Sequence, residues 1–438
     1  MKNLYKAILA NFLHWGATRL HRVVSRIATL IIKYAISLTP RKQLFVENLQ
    51  KIGYKYSTIY DHKAFLYCSL AQKNIEHVEN FSILSPQKSI KLPLPKNVSD
   101  FKINPKHECT AVLPSTYLAE INNVQMFAET DLIISGNKVF YDEIDKDEIN
   151  NYAIKSPNIS KITNEKITVK IPVGRPKTIT TGIHFTKNHS KNYFHWIIEA
   201  LPRISLISGV DKNVPLLVSS HLPIQFYDAL DILNTDKRKI IKLDSDKSYL
   251  VKKLFYPSPL SIVHDNYKTP IYHKDAVYSP EGINFVREAV LSTLEYIPDT
   301  KKRKIFISRN NSDYRQLLNA DEIENVLIKK GFEIVFPEKL SFAIQVQIFS
   351  QAEIIIGQSG AGMTNFIFAP KNCQVIMMMS DVSENNLNLF NALAVASDTR
   401  LEFIIGKHVI SRINRAIHTD FYVEPKLLEN SLDQLYKS

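Results

Sequence analysis

The stretch that decides the fold is Glu353-Ile-Ile-Ile-Gly-Gln-Ser-Gly-Ala-Gly-Met-Thr-Asn-Phe-Ile-Phe-Ala-Pro370. Its isoleucines, Ile354 to Ile356, are typical of a strand buried on both faces of a parallel sheet. Three glycines follow within six positions, at Gly357, Gly360 and Gly362. They predict a tight turn with positive φ and room for a phosphate, and Thr364 is placed to cap a helix that ends before Pro370. The stretch predicts either an anion site or an ordinary tight turn between a strand and a helix.

The composition is that of a globular protein with a hydrophobic core. Of 438 residues, 45% are hydrophobic and 22% are charged, and this length suits two or more domains. The net charge of +12 is compatible with nucleic acid, an anionic membrane surface or an anionic substrate. Cys68, Cys109 and Cys373 are far apart and have no metal-binding spacing, which fits a reducing cytoplasm. We expect no membrane-spanning helix, because no apolar run of about 18 residues is present, and no cleaved signal peptide, because no small-residue cleavage site follows an N-terminal apolar stretch.

Residues 1–50 are predicted to form a basic amphipathic segment. Residues 1–46 contain no acidic side chain, and their cations are spread among large apolar residues. These cations are Lys2, Lys6, Arg19, Arg22, Arg26, Lys33, Arg41 and Lys42. Such a helix can lie in the membrane interface with its cations on anionic head groups. The alternative is a helix that packs on the body of the protein.

Residues 51–175 are predicted to contain an irregular connector and a small β-rich unit. Prolines interrupt the pattern up to about residue 105, and short alternating runs follow. Ser135-Gly-Asn-Lys138 has the composition of a hairpin turn between two such runs. The acidic run Asp142–Glu148 is explained by a solvated loop more simply than by a metal site. Residues 411–438 are interpreted as a C-terminal tail.

From about residue 176, strand-like and helix-like patterns alternate. This order predicts parallel sheets with helices on both faces. Asp265–Pro280 lacks a clear period and is predicted to join two such units, 176–270 and 271–410. The fold class is therefore α/β, with two Rossmann-like parallel-sheet domains that face a cleft.

A second informative stretch is Asn192-Tyr-Phe-His-Trp-Ile-Ile-Glu-Ala-Leu-Pro-Arg203. On a helix, its polar residues Asn192, His195, Glu199 and Arg203 would line one face. Glu199 is a candidate general base, and His195 is placed to hold or tune it. The alternative is a plain polar face with a Glu199–Arg203 ion pair at i, i+4. A metal site is less favoured because no third ligand is evident.

Two arginines follow a strand that ends at Ser308. Arg309 and Arg315 lie just past this strand, where parallel sheets place ligands, and arginine suits a diphosphate. The alternative is a solvated loop. Asp244-Ser-Asp246 and His264-Asp265 are weak metal candidates, since such pairs also occur freely in loops.

Four ordered motifs in residues 180–405 resemble glycosyltransferase family 61, which includes bacterial capsule and lipopolysaccharide enzymes and eukaryotic xylosyl- and N-acetylglucosaminyltransferases. They are the Asn192–Arg203 stretch, Ile307-Ser-Arg with Leu318-Asn, Leu340-Ser-Phe with Gln345, and Gly357-Gln-Ser-Gly-Ala-Gly-Met-Thr-Asn. The resemblance implies a two-domain GT-B architecture, a nucleotide-sugar donor and inversion at the anomeric carbon. It also implies that residues 176–270 face the acceptor, that residues 271–410 bind the donor, and that Glu199 is the base.

The candidate site has two catalytic residues, Glu199 and His195. Its candidate substrate contacts are Asn192, Arg203, Arg309, Arg315, Ser359, Gly360, Ala361, Gly362, Thr364 and Asn365. The sequence departs from the family at Ser359, where the family often has histidine. A serine hydroxyl can donate to a phosphate oxygen, but it carries no charge.

The sequence therefore predicts a glycosyltransferase of bacterial surface polysaccharide synthesis, cytoplasmic and peripherally associated with the inner membrane. Its expected partners are a nucleotide-sugar donor and a saccharide or lipid-linked acceptor. No cofactor is expected, and a divalent metal ion is not indicated. The alternative is a non-catalytic binding scaffold of a polysaccharide assembly complex. A nucleic-acid binder is not favoured, because no recognition motif is present and the basic residues are scattered.

Overall fold

The computed structural model describes residues 60–68, 70, 78–99, 109–142, 156–163, 166–263, 276–294, 302–309, 314–382, 385–410 and 418–436. The predictions for residues 1–50, for His264-Asp265 and for most of the acidic run after Asp142 lie outside these residues. In the described part of the chain, no helix is long and apolar enough to cross a bilayer.

In chain order, the described strands are β1 (Tyr60–Cys68), β2 (Val78–Ser85), β3 (Lys88–Leu92), β4 (Lys96–Asn97), β5 (Cys109–Leu113), β6 (Thr116–Phe127), β7 (Ile133–Ser135), β8 (Lys138–Phe140), β9 (Ile159–Ile162), β10 (Lys166–Pro172), β11 (Lys177–His184), β12 (Leu216–Ser219), β13 (Ile240–Leu243), β14 (Ser248–Pro257), β15 (Ile262–Val263), β16 (Ala276–Val277), β17 (Arg303–Ile307), β18 (Glu333–Val335), β19 (Ala352–Gln358), β20 (Gln374–Ser380), β21 (Arg400–Ile410) and β22 (Asp420–Tyr422).

The described helices separate many of these strands. The α-helices are α1 (Tyr193–His195), α2 (Ile224–Leu233), α3 (Pro280–Leu291), α4 (Ala320–Lys329), α5 (Phe342–Ser350), α6 (Asn388–Ala396) and α7 (Pro425–Leu435). A π-helical turn, Trp196–Ala200, follows α1, and 3-10 helices span Leu201–Leu206, Pro337–Lys339 and Ala361–Phe368. The chain thus has the predicted mixed α/β character, with parallel sheets and several helices.

The larger sheet has eleven strands in the order β13-β12-β11-β14-β6-β7-β8-β1-β10-β9, with β2 also paired to β6. Strands β11 to β14 pair in parallel, as the alternating pattern predicts. Beyond them β14 pairs antiparallel with β6, so most of the described strands in the β-rich stretch continue this sheet, whereas β5 pairs with β3 in a separate two-stranded sheet. The predicted turn at Ser135–Lys138 is confirmed, because β7 and β8 form an antiparallel hairpin with Gly136 at φ 57°.

The smaller sheet has seven strands in the order β18-β17-β19-β20-β21-β22, with β4 also paired to β21. The isoleucine strand, β19, lies between the parallel strands β17 and β20, and Ile355 and Ile356 are fully buried, as predicted. We call the larger sheet with its helices the first half of the protein and the smaller sheet with its helices the second half. Strand β22 and helix α7 belong to the second half, so residues 418–436 are more than a tail.

The stretch predicted as an irregular connector contains strands β1 to β4. Two of these strands join the larger sheet, β3 pairs with β5, and β4 extends the smaller sheet. The prolines at 86, 93 and 95 lie between these strands, so they mark turns and not an unstructured linker. This stretch therefore reaches both large sheets through backbone pairing.

One hydrophobic core runs continuously across the contact between the two sheets. It contains Trp196 and Phe226 from the first half and Phe366 and Phe390 from the second. The ring of Phe194 lies 5.6 Å from that of Phe390, in an edge-on arrangement that aromatic pairs favour. The short helix α1 is therefore held between the halves, and its position depends on both.

Gly406 in β21 provides a test of this packing. A Cβ at this position would lie 2.4 Å from the carbonyl oxygen of Tyr422, so the backbone of β22 would have to move. We expect Gly406→Ala to lower the free energy of unfolding by about 1–3 kcal/mol, measured by thermal or denaturant unfolding. Gly209→Ala is the matched control, because nothing lies within 4 Å of its Cβ. Equal losses in the two variants would contradict the packing at β21 and β22.

Candidate active site

The first part of the site is the irregular helix that follows β11. Asn192 caps α1 by accepting a hydrogen bond from the amide of Phe194 at 3.0 Å. The helix then widens into the π turn, in which the amide of Leu201 bonds to the carbonyl of Trp196. Pro202, which has no N–H to continue an α-helix, comes directly afterwards. A π turn of this kind is frequent at functional sites, and here it contains Glu199.

Glu199 and His195 form a close buried pair. His195 Nδ1 lies 2.5 Å from Glu199 Oε2, and the glutamate side chain is 2% exposed. The second oxygen, Oε1, accepts a hydrogen bond from the amide of Val263 at 3.2 Å. The structure therefore brings the two predicted catalytic residues together.

A buried lysine completes this cluster. Lys187 Nζ lies 3.5 Å from Glu199 Oε1 and 3.3 Å from Asp131 Oδ2, and its side chain is 2% exposed. A buried cation of this kind is stable only when anions pair with it. Lys187 and Asp131 were not predicted from the sequence, because neither belongs to a local motif. Their proximity to Glu199 arises only in the folded sheet.

The pKa of Glu199 reflects these neighbours. Burial of the carboxyl group by itself would raise the pKa. The charge of Lys187, followed by the contacts to His195 and the amide of Val263, outweighs burial and lowers the pKa below its ordinary value. Glu199 is therefore ionised at neutral pH.

Arg203 does not pair with Glu199. Its guanidinium donates to the carbonyl of Pro257 at 2.7 and 3.0 Å and to that of Thr186 at 3.3 Å. Its Nη2 also lies 3.2 Å from His184 Nδ1, and burial lowers the pKa of His184 well below its usual value. The alternative of a simple Glu199–Arg203 pair is therefore wrong. These contacts tie Arg203 to the protein interior, so the geometry is that of a structural residue.

The second part of the site is the glycine turn after β19. The three glycines do not use positive φ there; Gly360 has φ 171°, which any residue can adopt. Thr364 does not cap the following helix, which begins at Ala361, and its hydroxyl is buried inside that helix. Glycine at 360 is explained by space, since a Cβ would overlap the guanidinium of Arg309. The backbone can therefore lie directly against this cation.

Two arginines lie beside the glycine turn. Arg309 Nη1 donates to the carbonyl of Ser359, and both guanidinium groups lie near the ring of Tyr314, at 6.0 Å for Arg309 and 5.4 Å for Arg315. Burial, together with the charge of Arg315, lowers the pKa of Arg309 to about 10. Two partly buried cations of like sign repel each other, and a bound anion would relieve that repulsion.

Several buried polar atoms around this turn have no hydrogen-bond partner among the described residues. They are Ser308 Oγ, Arg315 Nε, Gln358 Oε1 and Thr364 Oγ1. Ser308 and Gln358 lie at or just beyond the carboxyl ends of β17 and β19, the edge where parallel sheets bind ligands. Buried polar groups are normally satisfied, so this cluster indicates a polar ligand.

A hydrogen-bond chain links the two parts of the site. Tyr193 in α1 donates its hydroxyl proton to Asn365 Oδ1, and Asn365 Nδ2 donates to Gln345 Oε1 at 2.7 Å. Gln345 in turn donates to the carbonyl of Pro337 at 2.9 Å. Three of the four sequence motifs therefore meet in one network. Asn365 bridges the other two side chains, and Tyr193, which belongs to the Asn192–Arg203 motif, was not among the predicted site residues.

The remaining predicted residues occupy different surroundings. Asn192 is exposed at the start of α1, whereas Ala361 and Gly362 are half-buried at the start of the 3-10 helix. Asp244 pairs with Lys247 at 2.9 Å and with Lys177 at 3.6 Å. No group of three or more metal-ligating side chains occurs in the part of the chain that the structure describes.

Comparison with known proteins gives the class of this segment. Residues 193–376 match the family model Glycosyltransferase 61, which confirms the resemblance of the motifs to that family. The EGF domain-specific O-linked N-acetylglucosamine transferase of Mus musculus is 27% identical over 152 residues, which are 33% of this chain and 27% of that protein. Alpha-1,3-arabinosyltransferase XAT3 of Oryza sativa subsp. japonica is 32% identical over 96 residues, 21% and 16% of the two chains. Both relatives are glycosyltransferases, and the matches span about a quarter or less of their lengths.

The ionised Glu199 predicts how stability depends on pH. Because the folded pKa is lowered, the stabilisation is present above the ordinary glutamate pKa of about 4.3 and is lost as pH falls through the folded pKa. We expect Glu199→Gln to lower the free energy of unfolding by about 3 kcal/mol at neutral pH and by less in acid. Thermal unfolding between neutral and acidic pH measures this difference. Glu288→Gln, at an exposed position, is the control, and a difference that does not change with pH would contradict the prediction.

Proposed function

We propose that this protein is an inverting glycosyltransferase that moves a sugar from a nucleotide-sugar donor to a saccharide or lipid-linked acceptor. The observation that carries the proposal is the hydrogen bond between Tyr193 and Asn365. Tyr193 lies two positions before His195, and Asn365 lies at the glycine turn. The Tyr193–Asn365 hydrogen bond thus joins the segment that holds the His195–Glu199 pair to the glycine turn beside Arg309.

The GT-B arrangement is part of this proposal. Each half contains a parallel sheet, and the Glu199 helix follows β11 in one half as the glycine turn follows β19 in the other. Parallel sheets bind ligands beyond the carboxyl ends of their strands. A cleft between two such edges would receive the acceptor on the Glu199 side and the donor on the Arg309 side.

Arg309 and Arg315 would bind the donor diphosphate. Arginine stays charged and can donate two parallel hydrogen bonds to a phosphate. The first amides of the 3-10 helix at Ala361 and Gly362 and the hydroxyl of Thr364 would supply further donors. These groups would stabilise the negative charge that develops as the diphosphate departs, so the reaction would not require a divalent metal ion.

The His195–Glu199 pair would take the proton from the acceptor hydroxyl. Removal of this proton makes the oxygen a stronger nucleophile for attack on the anomeric carbon. The attack comes from the face opposite the departing diphosphate, and the product has inverted configuration. The sequence resemblance to capsule and lipopolysaccharide enzymes supports a role in bacterial surface polysaccharide synthesis.

The alternative function is a non-catalytic nucleotide- or glycan-binding scaffold in polysaccharide assembly. Ser359, which replaces a histidine frequent in the family, favours it. Calorimetry with a panel of nucleoside diphosphates, combined with a donor-turnover assay, separates the two: binding with turnover supports the enzyme. Nucleotide or glycan binding without turnover would support the scaffold.

Glu199→Gln and Arg309→Met test the two parts of the site separately. We expect Glu199→Gln to abolish sugar transfer and retain nucleoside diphosphate binding, because the glutamine cannot support proton removal. We expect Arg309→Met to lose most of the binding, because its cation faces the glycine turn. Transfer rates and calorimetric affinities measure both effects.

Arg400→Met is the matched control for the arginine variant. Arg400 is exposed at the start of β21, which is the opposite end of the parallel sheet. The Arg400→Met variant should bind the nucleoside diphosphate with the affinity of the unmodified protein. Normal turnover by Glu199→Gln, or equal binding by the Met variants at 309 and 400, would refute the assignments.

We also propose that residues 1–50 attach the protein to the cytoplasmic face of the inner membrane. Their cations and apolar residues suit anionic lipid surfaces. A chain without residues 1–40 should bind poorly to vesicles that contain anionic lipid, as measured by co-sedimentation. Replacing Lys2, Lys6, Arg19, Arg22, Arg26 and Lys33 with glutamine should weaken binding to vesicles that contain anionic lipid and leave binding to uncharged vesicles unchanged. Unchanged membrane partitioning of the shortened chain would refute the attachment.

A further inference from the structure

We propose that His195 is the group that receives the proton, through Nε2, and that Glu199 and Lys187 are positioning residues that hold and polarise it. This assignment rests on the proposed glycosyl transfer and names the atom at which its proton moves. It reverses the roles expected from the sequence, in which Glu199 was the base and His195 its support. The reversal follows from which atoms of the pair remain open.

Both carboxylate oxygens of Glu199 are occupied by the protein. Oε2 contacts His195 Nδ1 at 2.5 Å, while Oε1 faces the amide of Val263 at 3.2 Å and Lys187 Nζ at 3.5 Å. The side chain is 2% exposed. A general base must come within hydrogen-bond reach of the proton it removes. An acceptor hydroxyl could reach Glu199 only by displacing one of these contacts.

His195 keeps one ring nitrogen open. Its single hydrogen bond among the described residues uses Nδ1, and its side chain is 9% exposed against 2% for Glu199. An ionised carboxylate can only accept hydrogen bonds, so the proton of the neutral imidazole lies on Nδ1. Nε2 then carries the lone pair. A carboxylate that fixes the tautomer in this way is a known means of preparing a histidine base.

The surroundings of His195 define its charge environment. The ring of His189 lies 5.2 Å away, and the ring of Phe194 lies edge-on at 5.3 Å. The neighbouring charges are Glu199 on the same helical segment and, beyond it, Lys187. Asp131 pairs with the far side of Lys187, and burial, together with the charge of Glu199, raises the pKa of Tyr278 well above its usual value.

The proposed step balances charge and protons. The acceptor hydroxyl gives its proton to His195 Nε2 as its oxygen forms the bond to the anomeric carbon. The bond from that carbon to the diphosphate oxygen breaks, and its electron pair leaves with the nucleoside diphosphate. The resulting imidazolium is stabilised by the Glu199 carboxylate, and its proton passes to water after product release. Arg309 and Arg315 stabilise the charge on the leaving group.

Lys187 has a specific task in this arrangement. Its charge holds Oε1 of Glu199 and favours the ionised form, which the Nδ1–H donor of His195 requires. Without that charge, Glu199 would take up a proton at higher pH and would no longer fix the imidazole tautomer. Lys187 therefore acts on the reaction through Glu199 and does not touch the acceptor.

The central test is His195→Asn, whose amide nitrogen can take the place of Nδ1 and still donate to Glu199 but cannot accept the proton. We expect its kcat for transfer to fall by about 10²- to 10⁴-fold, with nucleoside diphosphate affinity unchanged. Transfer within about tenfold of the unmodified enzyme would overturn the assignment and return the role of base to Glu199. His62→Gln, on the distant strand β1, is the histidine control.

A second measurement separates positioning from folding. Lys187→Met should move the acidic limb of the kcat profile to higher pH, and Lys187→Arg should restore its position. A methionine variant that changes only thermal stability, with an unmoved pH profile, would show that Lys187 is merely structural. Absence of transfer by the unmodified protein with every donor would instead refute the proposed glycosyl transfer itself. The two failures are therefore distinguishable.

Discussion

The buried charge of Glu199 is the constraint on which the site depends. Taking a carboxylate out of water costs several kcal/mol unless a cation and hydrogen-bond donors replace the solvent. Here the replacements come from three other parts of the chain: His195 in α1, Lys187 after β11 and the amide of Val263 in β15. Asp131 then balances Lys187. The charge is stable only when all of these segments are folded together, so the acid–base pair depends on both the larger sheet and the separate β15–β16 pair.

The second half is connected to the Glu199 cluster by hydrogen bonds as well as by packing. The Tyr193–Asn365–Gln345 chain begins in the helix that carries His195 and ends at the carbonyls that precede α5. The rings of Phe194 and Phe390 meet beside it. A shift of the glycine turn would therefore be transmitted to the helix that holds His195. This coupling gives the glycine turn a physical means of setting the geometry around His195.

The sequence predicted those features that depend on local pattern. The buried isoleucine strand, the hairpin at Gly136, and the His195–Glu199 pair follow from residue period and spacing, and the structure has each of them. It did not predict the ion pair to Lys187, because that contact depends on how the sheet folds. The prediction that Arg203 shares a helix face with His195 and Glu199 was also wrong. The π turn Trp196–Ala200 and Pro202 interrupt the α-helical period, so Arg203 does not follow Glu199 on that face. The strands of residues 60–97 were missed because their partners are distant in sequence.

The serine at 359, where the resemblance leads us to expect histidine, has little effect on the contacts of the glycine turn. Its amide donates to the carbonyl of Met378 at 2.9 Å, and its own carbonyl accepts from Arg309. Both contacts use the backbone, which every residue supplies. The close approach of Arg309 depends instead on the missing Cβ at Gly360. A change of side chain at 359 would therefore leave these backbone contacts intact, and in the proposed reaction the charge at the leaving group falls to Arg309 and Arg315. For this reason the serine gives only weak support to the scaffold, because it leaves the contacts of the cationic turn unchanged.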